Sequence, residues 1–227
     1  MAAADQFVAG TADASEHLTI EPKILYFGTP VALVTTLNED GSANIGPMSS
    51  AWALGYTVVM GWAVKAHTLT NLRREHECVI NLPGPDLWEK VEALAPLTGR
   101  DPPAMPELFH YEPAKFKAAG LTSVASHRVR PPRIAECPLQ LEARITAIHE
   151  PRSPDGDSFR IVEAYVERVH ALVDYVKPGT QHVDTARWSP LLYVFRHYFG
   201  TGGELGRTFR AEIDDIACTA GPSTPRQ

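Results

Sequence analysis

Short apolar runs rich in β-branched residues, separated by turn signals, recur along the chain and predict a mainly β protein. Residues 31–37 read VALVTTL and predict a strand. The next four residues, NEDG, are a strong turn signal, and residues 42–45 return from it, so the pattern predicts a hairpin. Pro47 has no N–H to donate, and we therefore expect regular pairing to end there.

Four further segments have the character of strands. Residues 56–62 and 77–82 are apolar and β-branched, and residues 138–150 alternate apolar and polar side chains as a half-buried strand does. Apolar residues from 159 to about 172 also fit helical spacing, but their β-branched content and the preceding turn at 151–157 favour a strand. About six strands joined mostly by short turns predict a closed antiparallel barrel with helices packed outside it.

Three segments are compatible with helices. Residues 68–75 form the first and residues 113–119 the third, with Gly120 as its C-cap. Asp86 is the expected N-cap of the second helix, and Gly99 lies past its end. The apolar stripe of this second helix consists of Leu87, Trp88, Val91, Leu94 and Ala95.

The pattern divides the chain into one domain and two flanking segments. Residues 1–20 read as a loose arm, residues 21–213 as a single domain, and residues 214–227 as a flexible tail. Within the domain, the Pro-rich segments 100–112 and 121–135 are long loops, and such loops in a compact domain often carry function.

Composition narrows the class of protein. Hydrophobic residues make up 44% of the 227 positions, enough for a sizeable core. A net charge of −6 and the absence of a long basic run argue against nucleic acid or an anionic membrane surface as the main partner. No apolar stretch approaches the ~18 residues of a membrane span. Three scattered cysteines and the lack of a secretion leader lead us to expect a cytoplasmic protein.

The segment 44–71 carries the most chemical information. Residues 47–50, PMSS, form an irregular bend whose backbone N–H groups and two hydroxyls can bind a polar ring edge. Residues 65–68, KAHT, immediately precede a short helix, where free N–H groups, a lysine, a histidine and a hydroxyl attract phosphate. The two motifs describe a pocket with a ring-binding end and a phosphate-binding end. The residues alone are equally compatible with an ordinary bend and a capped helix.

Several segments together resemble the flavin reductase-like FMN-binding proteins, which have the split β-barrel fold. They are NEDGSANIGPMSSAWALGYTVVMGW, KAHTLTNLRREHECVINLP, LAPLTGRDPP, EPAKFKAAGLT, VRPPRIAECPLQLEARI and HYFGTGGELGRTFR. No one of these segments is sharp, but their order and spacing are specific, and the resemblance spans about residues 23–210. It predicts a mainly β, antiparallel split barrel with peripheral helices.

The resemblance also implies a cofactor and its contacts. It implies a homodimer with one flavin per subunit near the interface, FMN in the first place and FAD as the alternative. The residues implied at the ring and ribityl chain are Pro47, Met48, Ser49 and Ser50, flanked by Trp62 and Ala63. The residues implied at the phosphate are Lys65, His67 and Thr68, with Asn71 one helical turn on.

The function implied is NAD(P)H-dependent reduction of flavin, with the reduced flavin passed to a partner monooxygenase or another acceptor. Because the cofactors carry the hydride chemistry, no acid–base motif is required, and none of the standard catalytic motifs is present. His127 and His197 are the candidate catalytic side chains, the first in a Pro-rich loop and the second where the family's chain returns toward the flavin. Two alternatives stay open at this point, a flavin carrier without turnover and a barrel with its own small-molecule reaction.

Overall fold

A computed structural model describes residues 17–152, 154 and 156–206. The predicted arm and tail therefore lie largely outside the described residues. The strands before the second helix are β1 Phe27–Pro30, β2 Ala32–Leu37, β3 Ala43–Met48, β4 Ala51–Leu54, β5 Thr57–Ala63 and β6 Glu77–Leu82. The later strands are β7 Leu97–Thr98, β8 His110–Tyr111, β9 Ser123–Val124, β10 Arg133–Ile134, β11 Leu139–His149, β12 Phe159–Ala171, β13 Leu192–Val194 and β14 His197–Phe199. The helices are α1 His67–Glu75, α2 Trp88–Leu94 and α3 Lys115–Ala118, with 3-10 turns at Pro85–Leu87 and Val173–Tyr175.

One antiparallel seven-stranded sheet, in the order β3-β2-β6-β11-β12-β5-β4, forms the body of the protein. Its two edge strands, β3 and β4, are consecutive in the chain and are separated only by Ser49 and Ser50. The sheet must therefore curl until its edges meet at this bend, where the Gly61 N–H donates to the Ser50 carbonyl at 2.7 Å. β3 and β4 do not pair in the described sheet, so the sheet forms a half-barrel. The closed barrel expected from the short turns is therefore wrong, whereas the split barrel predicted from the family resemblance is confirmed.

All six predicted strands are confirmed, and β12 pairs along its length with β11 and β5 as a strand rather than a helix. The expectation that pairing ends at Pro47 is wrong, since β3 continues to Met48 and places Pro47 opposite Leu33. Because β3 is an edge strand, its outer side needs no hydrogen-bond partner, and proline is tolerated there. The pattern also missed the short edge strand β4.

The second helix begins differently from the prediction. Asp86 is not its N-cap, because the chain enters through the 3-10 turn that opens at Pro85, and α2 ends at Leu94, well short of Gly99. Trp88 of the predicted stripe is 46% exposed, whereas Leu87, Val91 and Leu94 are buried. The third helix is shorter than predicted, and Gly120 follows its end with a φ of +60°. No helix of the described residues is long and apolar enough to cross a membrane.

Two apolar cores lie on opposite faces of the curled sheet. The first fills the half-barrel around Val34, Met60 and Val162 and receives Leu69 and Leu72 of α1. The second lies outside the sheet, where Leu33 and Ile45 pack with Val91 and Leu94 of α2. Alternate residues of β2 thus belong to different cores, since successive side chains of a strand point to opposite faces. The start of α1, the bend after β3 and the inner side of α2 and α3 consequently meet around one cavity.

Candidate functional site

A cavity of about 630 Å³ lies where the β3–β4 bend, the end of β5 and the start of α1 come together. Every predicted cofactor-binding residue except Asn71 lines it. The residues so placed are Pro47, Met48, Ser49, Ser50, Trp62, Ala63, Lys65, His67 and Thr68. The structure therefore brings the two predicted halves of the site together in one space, while their role in binding stays a prediction.

The first end of the cavity is formed by the bend and β5. The Ser50 hydroxyl is 2.9 Å from the hydroxyl of Tyr26, and the Ser50 carbonyl accepts from the Gly61 N–H, so the bend is held from two sides. Trp62 is only 5% exposed, and its Nε1 is a buried donor with no hydrogen-bond partner among the described residues. A buried indole N–H usually has a partner, so this end of the cavity lacks an acceptor.

The second end is formed by the first turn of α1. Ala66 at the N-cap supplies no side-chain hydrogen bond, so the first backbone N–H groups of the helix have no cap. The Thr68 hydroxyl accepts from Asn44 Nδ2 at 3.1 Å and still has its own hydrogen to donate. A Cβ on Gly46 would lie 2.2 Å from this hydroxyl, so only glycine allows β3 and α1 to approach so closely.

His67 is held in place from behind by an amide network. Its Nε2 lies 2.8 Å from Asn38 Oδ1, and because an amide oxygen only accepts, Nε2 carries a proton. The same oxygen accepts from Asn71 Nδ2 at 3.0 Å, and Asn71 also donates to Thr36 Oγ1 at 3.1 Å. Asn71 is fully buried and, unlike the other predicted binding residues, does not line the cavity, and its part in binding stays a prediction. Its hydrogen bonds orient Asn38 and through it His67.

Positive charge gathers at this second end. Burial, together with the nearby cations Lys115, Arg74 and Arg100, lowers the pKa of His67. Lys65 and Lys115 both line the cavity, and Lys115 is buried. The arrangement favours an anionic ligand group because such a group would relieve the mutual repulsion of these cations.

One wall of the cavity was not predicted from the sequence. Three tyrosine rings follow one another there, with centroids 5.3 Å apart between Tyr26 and Tyr193 and 5.6 Å apart between Tyr193 and Tyr198. The Tyr198 hydroxyl donates to Glu92 Oε2 at 2.9 Å, and burial together with this carboxylate raises the pKa of the phenol. Arg196, in the turn between β13 and β14 with a φ of +74°, also lines the cavity.

Neither histidine predicted to be catalytic lines the cavity. The backbone N–H of His127 donates to the buried carboxylate of Glu142, and the His127 ring contacts that of His170 with centroids 5.1 Å apart. His197 is exposed on β14, whereas its neighbours Arg196 and Tyr198 line the cavity. The alternation of side chains along the hairpin explains why Tyr198 reaches the cavity and His197 does not.

Comparisons with known proteins agree with this fold. The family model described as flavin reductase like domain matches residues 24–202. The uncharacterized protein YdfE of Bacillus subtilis (strain 168) is 47% identical over 203 residues, which cover 88% of this chain and 97% of that protein.

Two solved structures share the fold at low identity. Flavoredoxin of Desulfovibrio vulgaris (Miyazaki F) has a TM-score of 0.69 at 18% identity and covers 87% of this chain and 100% of its own. Nitrilotriacetate monooxygenase component B from Bacillus cereus has a TM-score of 0.70 at 16% identity and covers 86% of this chain and 100% of its own. Since the family match extends over most of the chain, the protein belongs to the flavin reductase-like family.

Proposed function

We propose that the protein is an NAD(P)H-dependent flavin reductase that binds FMN in the cavity between the β3–β4 bend and α1. The observation that carries the proposal is the joining, in one cavity of about 630 Å³, of a polar bend beside a buried tryptophan and a cationic helix start. A flavin mononucleotide has a flat ring at one end and a phosphate at the other, and this pocket has complementary groups in the same order.

The residues present fit such a cofactor. At the ring end, the unpartnered Nε1 of Trp62 and the hydroxyls of Ser49 and Ser50 can satisfy polar ring atoms. At the other end, Thr68 and His67 with the free N–H groups of α1 can hold the phosphate. Bound flavin would supply the hydride-accepting ring, and this chain's part is to bind, orient and shield it.

The tyrosine wall lines the same cavity as the bend and the start of α1. We place the nicotinamide cosubstrate against Tyr26, Tyr193 and Tyr198, where aromatic faces can pack on a flat ring and Arg196 can meet a phosphate. NAD(P)H and FMN would then face each other inside one cavity. No protein group has to carry a proton in a hydride transfer between two cofactors in contact.

The test is oxidation of NADH or NADPH by the purified protein with added FMN. We expect steady oxidation that requires only the flavin. Replacing His127 and His197 by alanine should slow it no more than about tenfold, or about 1.4 kcal/mol, because both lie outside the cavity.

A loss of activity of about a hundredfold to ten-thousandfold in these variants would instead indicate acid–base catalysis on a small-molecule substrate of the protein's own. Wild-type protein that binds FMN and oxidises neither nucleotide would favour a flavin carrier and would contradict the proposed function.

We further propose that the protein is a homodimer that delivers reduced flavin to a partner monooxygenase or another acceptor. The edge strand β4 exposes Trp52 at 60% and Leu54 at 77%, although both are large and apolar. Leu54 is aligned with Thr57, which is aligned with Tyr165 of β12, so the exposed Leu54 and Tyr165 share one face of the sheet. An exposed apolar face of this kind is typical of protein interfaces.

Sedimentation should accordingly give about twice the 24.9 kDa chain mass. Replacing Trp52 and Leu54 by glutamate should shift the protein to monomers at the same concentration, because burying two unpaired carboxylates is unfavourable. A wild-type protein that is monomeric at micromolar concentration would contradict the dimer.

A further inference from the structure

The cavity contains a buried lysine that neither the sequence motifs nor the family pattern quoted above assigns to a ligand. Lys115 opens α3, lines the cavity and is only 3% exposed. Lysine is almost never buried unless it is paired. Its Nζ donates to the carbonyl of Ile45 at 2.8 Å, and within the described part of the chain it has no carboxylate partner within 4.0 Å. An ammonium group has three donors, so two are left for a ligand.

The elements around Lys115 offer it little compensation. β3, on which α3 packs, has no charged or titratable residue. The nearby α1 contributes His67, whose pKa is lowered in part by Lys115, so the two groups repel each other when both are charged. Of the charged groups on α2, Lys90 donates to the Gly120 carbonyl and Glu92 accepts from Tyr198, while Glu89 is exposed. Lys65, Arg100 and the exposed Lys117 add only positive charge.

We infer that Lys115 is the buried cation of a phosphomonoester subsite and that binding of the phosphate is coupled to the protonation of this lysine. The inference rests on the proposed function in so far as a flavin occupies the cavity. A phosphomonoester brings close to two negative charges and several acceptor oxygens at neutral pH. It would take up the two unused donors of Nζ and offset the buried positive charge of Lys115.

Protonation of Lys115 and binding of the phosphate should favour each other. Burial lowers the pKa of Lys115 to about 8. A neighbouring phosphate stabilises the ammonium form and raises that pKa again. Below pH 8 the lysine is charged before the ligand arrives, and affinity does not depend on its titration. Above pH 8 the ligand must bring a proton into the site, so affinity falls by up to tenfold per pH unit.

The experiment compares FMN with riboflavin, which has the same ring and no phosphate. Affinities are measured by quenching of flavin fluorescence from pH 7 to pH 10 for the wild type, Lys115→Met and Lys117→Met. Lys117 is exposed on the same helix and serves as the matched control. We expect the wild-type affinity for FMN to fall above pH 8. Riboflavin has no phosphate, so its affinity should change with pH only through titration of the flavin ring, which affects both ligands alike. Lys115→Met should weaken FMN binding at least tenfold at pH 7, and its FMN and riboflavin affinities should then depend on pH in the same way. Lys117→Met should have neither effect.

Equal losses for the two flavins in Lys115→Met, or parallel wild-type profiles for FMN and riboflavin, would show that Lys115 merely caps the Ile45 carbonyl and would overturn the inference. If Lys115→Met does not fold, the wild-type profiles decide alone. The proposed function is judged separately by oxidation of NAD(P)H. If the pH profile is as expected but NAD(P)H is not oxidised, the phosphate subsite is supported and the proposed reductase function is contradicted.

Discussion

Replacing Lys65 and Thr68 together by alanine should weaken FMN binding about tenfold to a hundredfold and leave riboflavin binding nearly unchanged. Losing one hydrogen bond to a charged group costs about 1.5–3 kcal/mol, which corresponds to that range of affinity. Thr68 is 4% exposed, and its hydroxyl is fixed by Asn44 Nδ2 against the backbone of Gly46. Its position is therefore set before the ligand arrives, and its loss is not offset by rearrangement. Titration calorimetry with both flavins measures the effect.

Thr70 and Arg73 provide the matched control, since both are exposed on α1 and neither lines the cavity. Their alanine double variant should bind FMN like the wild type. If Lys65→Ala with Thr68→Ala lost FMN and riboflavin equally, the phosphate would have to lie elsewhere in the cavity.

Replacing Glu142 by alanine should lower the free energy of unfolding by about 3–5 kcal/mol, because several hydrogen bonds to one buried carboxylate are lost and each is worth about 1.5–3 kcal/mol. The Glu142 side chain is fully buried on β11. It accepts the backbone N–H groups of His127 and Arg128, and His170 Nε2 lies 2.6 Å from its Oε1. The substitution would leave these donors without an acceptor and release the loop that they hold. Urea denaturation at pH 7 measures the loss.

The pH dependence gives this prediction a second readout. Burial opposes ionisation of Glu142, but the hydrogen bonds from His127, Arg128 and His170 outweigh it, and the pKa is lowered. The charged carboxylate therefore stabilises the folded state above the ordinary pKa of about 4.5, and this contribution is lost as the pH falls through the lower folded value. Alanine at the more exposed Glu163, which pairs with His149, should cost less than about 1 kcal/mol. Equal effects at the two sites would contradict the account.

The fold could be predicted from the sequence wherever a strand has a recognisable local pattern. β2, β6, β11 and β12 are long, apolar on at least one face and bounded by turn residues, and their existence was predicted. β4 was missed because it is only four residues long and its sequence, AWAL, is apolar throughout, so it lacks the apolar–polar alternation of a half-buried strand. Pro47 misled the prediction because nothing in a local pattern distinguishes an edge strand from a central one.

The site was predicted to the extent that it is contiguous in sequence. The bend and the start of α1 both lie within residues 44–71, and their spacing places them in one cavity. Lys115 and the tyrosine wall come from distant segments, and only the packing of α3 and the last hairpin against β3 and β1 brings them in. Asn71 lies one helical turn after His67, and helical spacing alone does not tell which of the two side chains reaches the cavity.

His127 shows the same limit in another form. A histidine in a Pro-rich loop is compatible with a catalytic group, but a carboxylate on a neighbouring strand can equally anchor the loop. In the structure the backbone N–H of His127 donates to the carboxylate of Glu142. The two residues are 15 positions apart, and no sequence motif predicts this hydrogen bond. Neither His127 nor His197 lines the cavity, and the proposed reductase does not require either of them there.

The central claim, hydride transfer from a nicotinamide to FMN held in this cavity, is tested most directly by anaerobic mixing. Protein loaded with one equivalent of FMN is mixed with NADH or NADPH, and the visible absorption of the flavin is followed. The account predicts that at least one nucleotide bleaches the bound flavin completely within the time of a few turnovers. Protein that retains its yellow FMN unchanged in the presence of both nucleotides would contradict it.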